Sequence, residues 1–291
     1  MERHIETVVR RPSLVGEGAI WDSGRRVLYW VDIIGQKVFV YDPATGGNRE
    51  IDTLQAVGTV VPRASGGLVV ALHNGFASLD PDSGLMRPIA DPERDIPANR
   101  FNDGKCDPAG RLWAGTMEFD GEPDRGALYC LDTDGTVSRK FGNVTISNGI
   151  VWSLDQRTMY YVDTGRNNVR AWDYDAASGA IDNERVTVTN EGSGHFDGMT
   201  MDAEGTVWIA LFGGSAVRRY NPESGELLDT IDLPMSQITS CAFGGDDLTD
   251  LYITSACLRM SESERSAEPL AGSLVKTVPG VKGLPATPYA G

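Results

Sequence analysis

Short apolar runs rich in β-branched and aromatic residues recur along the chain, bounded by Gly and Asp. Val27-Leu28-Tyr29-Trp30-Val31, Leu68-Val69-Val70-Ala71-Leu72 and Arg111-Leu112-Trp113-Ala114 open the series. Met159-Tyr160-Tyr161-Val162, Val207-Trp208-Ile209-Ala210 and Leu251-Tyr252-Ile253-Thr254 continue it. A second run follows, as in Lys37-Val38-Phe39-Val40-Tyr41 or Ala216-Val217-Arg218-Arg219-Tyr220, and ends in a D-x-x-x-G-like turn. These turns close at Gly46, Gly84, Gly135, Gly179 and Gly225, with a less distinct sixth near Gly280; the intervals are 38, 51, 44, 46 and 55 residues. Segments this short, branched and turn-bounded read as strands, and no amphipathic helix of any length stands out. The period is that of a four-stranded propeller blade. The pattern therefore predicts an all-β fold, a six-bladed β-propeller formed as one domain by residues 1–291. Ile5-Glu6-Thr7-Val8-Val9 has strand character but precedes the first unit. It is expected to pair with the last blade and close the ring, because an open array leaves exposed strand edges. A solenoid of the same period needs polar capping units, and none is seen.

In a propeller the innermost strand of each blade lines a central channel. The turns after those strands fall at Asp22, Arg63, Asp107, Ser153, Asp202 and Gly245. Five residues earlier stand Glu17, Gly58, Asn102, Asn148, Asp197 and Ser240, none of them apolar, among neighbours such as Ile20, Trp21, Val61, Val151, Trp152, Met199 and Met201. One equivalent position thus offers two carboxylates, two carboxamides, a hydroxyl and a bare glycine to a common centre. Taken singly, Asn148-Gly149, Asp103-Gly104 and Asp197-Gly198 read as tight hairpin turns, and Glu17 as a solvated loop carboxylate. A turn does not explain polarity at one shared offset. Glu17, Asn148 and Asp197 supply hard oxygens carrying two negative charges, an arrangement costly without a cation. Oxygen-only donors suit Ca²⁺, Mg²⁺ or Mn²⁺, and three or four protein groups leave positions open for water and substrate.

Composition narrows the function. With 26 Lys and Arg against 41 Asp and Glu, the formal net charge is −15, which disfavours nucleic acid as a partner. A 41% hydrophobic content supports a buried core, and no apolar run approaches a spanning helix. Cys106, Cys130, Cys241 and Cys257 lie far apart without a C-x-x-C pair, so buried, reduced thiols are expected rather than a zinc site or disulfide framework. The N-terminal MERHIETVVRRPSL lacks the apolar stretch of a signal peptide, so a cytoplasmic location is expected. Oligomeric state is not legible.

At these residues the sequence resembles the SMP-30/gluconolactonase/regucalcin-like family. The resemblance is carried by L-V-G-E-G-A-I-W-D (14–22), N-R-F-N-D-G-K-C-D-P-A-G-R-L-W-A-G-T-M (99–117), I-S-N-G-I-V-W-S-L-D (146–155), F-D-G-M-T-M-D-A-E-G-T-V-W-I-A (196–210) and T-S-C-A-F-G-G (239–245). It implies a six-bladed propeller holding one divalent cation through Glu17, Asn148 and Asp197, with calcium first and magnesium, manganese or zinc as alternatives. It also implies hydrolysis of a sugar lactone to the aldonic acid, with Arg100 and Asn102 reading sugar hydroxyls. The family's animal members carry a substrate-contacting glutamate where this chain places Asp120, and Glu118 competes for that role.

The expected chemistry is metal-assisted lactone hydrolysis. Asp197 would be general base toward water and would return the proton to the ring oxygen. Arg100 would donate a forked pair of hydrogen bonds, and Asn102 amide contacts. His195 is expected at the pocket rim, since no G-x-S-x-G elbow accompanies it. Trp21, Trp152 and Trp208 are expected in the core. Two rivals stand beside this reading: a non-catalytic calcium-binding regulator, and a phosphotriesterase or aryl-ester hydrolase on the same scaffold.

Overall fold

The computed structural model describes residues 3–291; Met1 and Glu2, at the head of the segment searched for a leader, lie outside it. Six four-stranded antiparallel sheets are arranged as blades. Their inner strands are Gly16–Asp22, Val57–Pro62, Asn99–Cys106, Ser147–Trp152, His195–Met201 and Ile238–Gly244. In blades 1 to 5 the chain runs from the inner strand outward in sequence order. Blade 6 takes Asp250–Ser255 and Leu274–Thr277 as second and third strands, and Glu6–Val9 as its outermost one. Glu6 pairs with Lys276 and Thr7 with Val275, so the N-terminal strand closes the ring as the sequence predicts.

The repeated turns are the hairpins between third and fourth strands. Asp42 shows how they work: its carboxylate accepts from the Ala44 amide (2.9 Å) and the Thr45 hydroxyl (3.0 Å), while Gly46 closes the turn at φ +70°. Asp80 and Asn221 cap their turns the same way. The turn expected near Gly280 does not join two strands. Blade 6 borrows its fourth strand from the N-terminus, so no such hairpin is required, and Gly280 lies beyond Leu274–Thr277. One short helix, Glu262–Ala267, not expected from the apolar pattern, lies between the second and third strands of blade 6. Ser261 and Glu264 form its capping box, and none of its residues is buried.

The core is distributed between neighbouring blades. One cluster joins Tyr29, Val60, Val70 and Phe101 of blades 1 to 3, another Val162, Met199 and Ile209 of blades 4 and 5. Trp21 and Trp30 pack with Tyr252 across the closure between blades 6 and 1. Trp21, Trp152 and Trp208 are buried, as expected. A recurrent D-x-x-x-x-x-W pairing fixes two blades: Trp113 Nε1 donates to Asp107 and Trp208 Nε1 to Asp202, each at 2.9 Å. All four cysteines are free and buried. Among the described residues no helix is long and apolar enough to cross a membrane.

The last residues cross the channel end opposite the polar ring. The Gly283 amide donates to Leu248 O of blade 6, Ala203 of blade 5 donates to Lys282 O, and Tyr289 donates to Pro62 O of blade 2. The Tyr289 hydroxyl adds a 2.7 Å bond to Asp132 O of blade 3.

Candidate functional site

Each inner strand slips its register where the polar ring was predicted. The shifts fall between Glu17 and Ile20, Phe101 and Gly104, Ser147 and Ile150, and Phe196 and Met199. Two residues then face one on the next strand, a bulge that re-aims a side chain. Asn148-Gly149, Asp103-Gly104 and Asp197-Gly198 therefore lie inside strands, and the hairpin-turn reading of these pairs is wrong. Their glycines answer a different demand. A Cβ on Gly149 would stand 2.5 Å from the Met199 Cβ, and one on Gly198 would stand 2.7 Å from the Ser240 hydroxyl. Gly58, the bare ring position, is excluded from carrying a side chain by Asn102 O, 2.3 Å from where its Cβ would be.

Glu17, Asn148 and Asp197 are brought together and withdrawn from solvent, at 2%, 3% and 6% exposure. The Asp197 carboxyl lies against both the Glu17 carboxyl and the Asn148 carboxamide. Burial, then the charges of Asp197 and Asp103, hold the Glu17 carboxyl well above the usual carboxylate range. Asp197 is pushed up to about 8, chiefly by burial. Two carboxylates so placed resist joint ionisation.

The surrounding hydrogen bonds orient the donors. Thr164 Oγ1 donates to Phe196 O at 2.8 Å, so its lone pair receives Asn148 Nδ2 at 2.9 Å. That contact fixes the amide and leaves Asn148 Oδ1 buried without a donor; Asp197 Oδ1 is likewise unpartnered. Glu17 Oε2 accepts from the Gly18 amide at 2.5 Å. Buried orphan oxygens are rare in folded proteins. Here both belong to side chains that the fold buries against each other, and hard oxygen donors of this kind fit a hard divalent cation. Among the described residues no group of three or more His, Cys, Asp or Glu forms a metal cluster; a carboxamide stands in the third place.

Arg100 and Asn102 are buried beside this centre. Arg100 Nη1 donates to Asn102 Oδ1 (2.7 Å) and Phe101 O (3.0 Å), whereas its Nε has no partner. Asn102 Nδ2 is engaged by Ser147 O at 2.7 Å. Glu118 is partly buried and accepts from the amides of Asp120 (2.8 Å) and Glu122 (3.2 Å), so it folds its own loop. Asp120 is exposed. His195 is exposed at the start of its strand.

Two further residues were missed. Asp103, read as a turn residue and not as a site residue, is buried beside Glu17, and its carboxyl is raised by desolvation. Lys105 opposes that charge and donates from Nζ to Met199 O at 2.8 Å; burial lowers its ammonium. A charged pair at alternate positions of an inner strand was the available signal.

The blade ring presents carboxylates and carboxamides at its hub, and comparison with known proteins gives the family. The profile described as "SMP-30/Gluconolactonase/LRE-like region" matches residues 15–257, and the chain belongs to that family. It is 43% identical over 291 residues to regucalcin of Danio rerio, covering 99% of this chain and 98% of that protein. It is 38% identical over 280 residues to YvrE of Bacillus subtilis (strain 168), provisionally named a sugar lactone lactonase, covering 96% of each. The crystal structure of regucalcin from Agrobacterium tumefaciens, described as a calcium-binding protein, superposes with a TM-score of 0.94 at 29% identity, covering 99% of this chain and 98% of that one.

Proposed function

We propose that this protein is a divalent-metal-dependent hydrolase that opens a sugar lactone to its aldonic acid. Glu17, Asn148 and Asp197 would hold the cation, calcium by donor type, with magnesium, manganese or zinc as competitors. When bound, such an ion supplies Lewis acidity toward a carbonyl oxygen and offsets the buried negative charge. Asp197 takes a proton from water as that water's oxygen bonds to the lactone carbonyl carbon. As the bond between that carbon and the ring oxygen breaks, Asp197 returns the proton to the departing oxygen. Arg100, with Nε free, donates to substrate oxygens, and Asn102 is held by Arg100 and Ser147 so that its remaining N–H and lone pair are pre-aimed. Asp120 is the carboxylate better placed to read a hydroxyl, because Glu118 is committed to its loop.

The observation that carries this reading is the buried contact of Asp197 with Glu17 and Asn148, with Oδ1 of Asp197 and of Asn148 unpartnered. The test is acid release from glucono-δ-lactone and a panel of other sugar lactones, with added Ca²⁺, Mg²⁺, Mn²⁺ or Zn²⁺ and with chelator. A chelator-sensitive rate above spontaneous hydrolysis supports the proposal. Metal binding without any such rate supports the second reading, a non-catalytic calcium binder, which the calcium-binding description of the Agrobacterium protein favours.

A further inference from the structure

Phe119 immediately follows the strand Leu112–Glu118, whose pairing sets Met117 opposite Arg100 and Glu118 opposite Asn99. Its amide donates to Ala98 O at 2.9 Å, which extends that strand pairing one step further. The ring belongs to no core cluster among the described residues and is 38% exposed. It is nevertheless held from two sides. The Arg100 guanidinium carbon lies 5.8 Å from its centroid. His73 of blade 2 meets it edge-on, at 5.0 Å and 90°. His73 is itself tied across to blade 3, with Nε2 3.0 Å from Pro97 O; a carbonyl only accepts, so Nε2 carries the proton. An aromatic ring wedged between a buried arginine and a tethered histidine, yet open to solvent, is poorly explained by burial.

We propose that Phe119 is a specificity-determining residue of this site. Its open surface takes the C–H face of a cyclic sugar lactone, while Arg100 beside it takes the hydroxyl edge. This deepens the lactone reading and rests on it. Sugar rings present polarised C–H groups on one face and hydroxyls at the rim, and the negative face of an aromatic ring suits the former. The guanidinium over the same ring is restrained by cation–π attraction. His73 is a positioning residue: it fixes the ring plane and touches no substrate. The ligand class follows as cyclic five- or six-carbon aldonolactones with an uncluttered C–H face.

The test compares wild type with F119A and F119W in the presence of Ca²⁺. Lactone turnover is measured, along with calorimetric binding of a 1,5-anhydroalditol, a cyclic analogue without the ester bond, and of Ca²⁺ itself. F119A is expected to raise both KM and the anhydroalditol Kd about tenfold, the scale of one aromatic contact. Its kcat should fall less than twofold, its Ca²⁺ affinity should stay unchanged, and F119W should restore both constants. F119A within twofold of wild type on both constants overturns the proposal, as does a larger loss on phenyl acetate than on lactones. Wild type that turns over no lactone, yet binds the anhydroalditol in a Phe119-dependent way, refutes the lactonase reading alone. Wild type that does neither refutes both.

Discussion

Thr164 sets the direction of Asn148, and replacing it with valine isolates that role. The substitution keeps the side-chain shape and removes only the hydroxyl, which receives Asn148 Nδ2 at 2.9 Å and donates to Phe196 O at 2.8 Å. Losing two such bonds costs about 1–3 kcal/mol of stability, since each net bond contributes about 0.5–1.5 kcal/mol. In a chain of this length that is a fall of several degrees in Tm. The informative effect lies elsewhere. Without Thr164 the carboxamide is free to turn, and the buried, unpartnered Oδ1 loses its fixed direction. Partners that orient a metal ligand typically contribute about 10- to 100-fold in affinity, so T164V should weaken Ca²⁺ binding by about tenfold in isothermal titration. On an N148A background, where the oxygen is already absent, the same substitution should change the Kd by less than twofold. A T164V protein that loses Tm but binds Ca²⁺ within twofold of wild type would refute the reasoning and reduce Thr164 to a structural contact.

Burial pushes the Cys130 and Cys241 thiols up to about 12, and raises those of Cys106 and Cys257. Native protein at pH 8 should therefore react with Ellman's reagent at fewer than one thiol in minutes, and at all four once unfolded. Tyr289 anchors the segment that crosses the channel end; it is 3% exposed and bonded through its amide and hydroxyl to blades 2 and 3. Y289A should cost about 3–5 kcal/mol, as deletion of a buried aromatic does, seen as a lower denaturant midpoint with an unchanged Ca²⁺ Kd.

The blades were legible because each repeats the same two signals, a β-branched or aromatic run and an Asp- or Asn-capped glycine turn. The clasp was legible because Ile5–Val9 has the pattern of a strand without a unit of its own. Blade 6 misled at Gly280, since a blade completed by a distant strand has no hairpin to repeat. The ring position emerged from a constant offset, whereas the bulges behind it did not: a one-residue slip leaves no mark on composition, and X-Gly pairs inside a strand look like turns. Glycines forced by an approaching neighbour, such as Gly149 against Met199, need the neighbour to be seen. Thr164 and His73 act on residues 16 and 46 positions away, across hydrogen bonds and ring contacts that one-dimensional patterns do not encode.

The most direct measurement is anomalous diffraction at the manganese edge from crystals grown with Mn²⁺, repeated with an excess of Ca²⁺. The account expects one strong peak enclosed by the side chains of Glu17, Asn148 and Asp197, lost when Ca²⁺ competes. A hub without a peak at saturating Mn²⁺, or an ion held only elsewhere on the molecule, would contradict it.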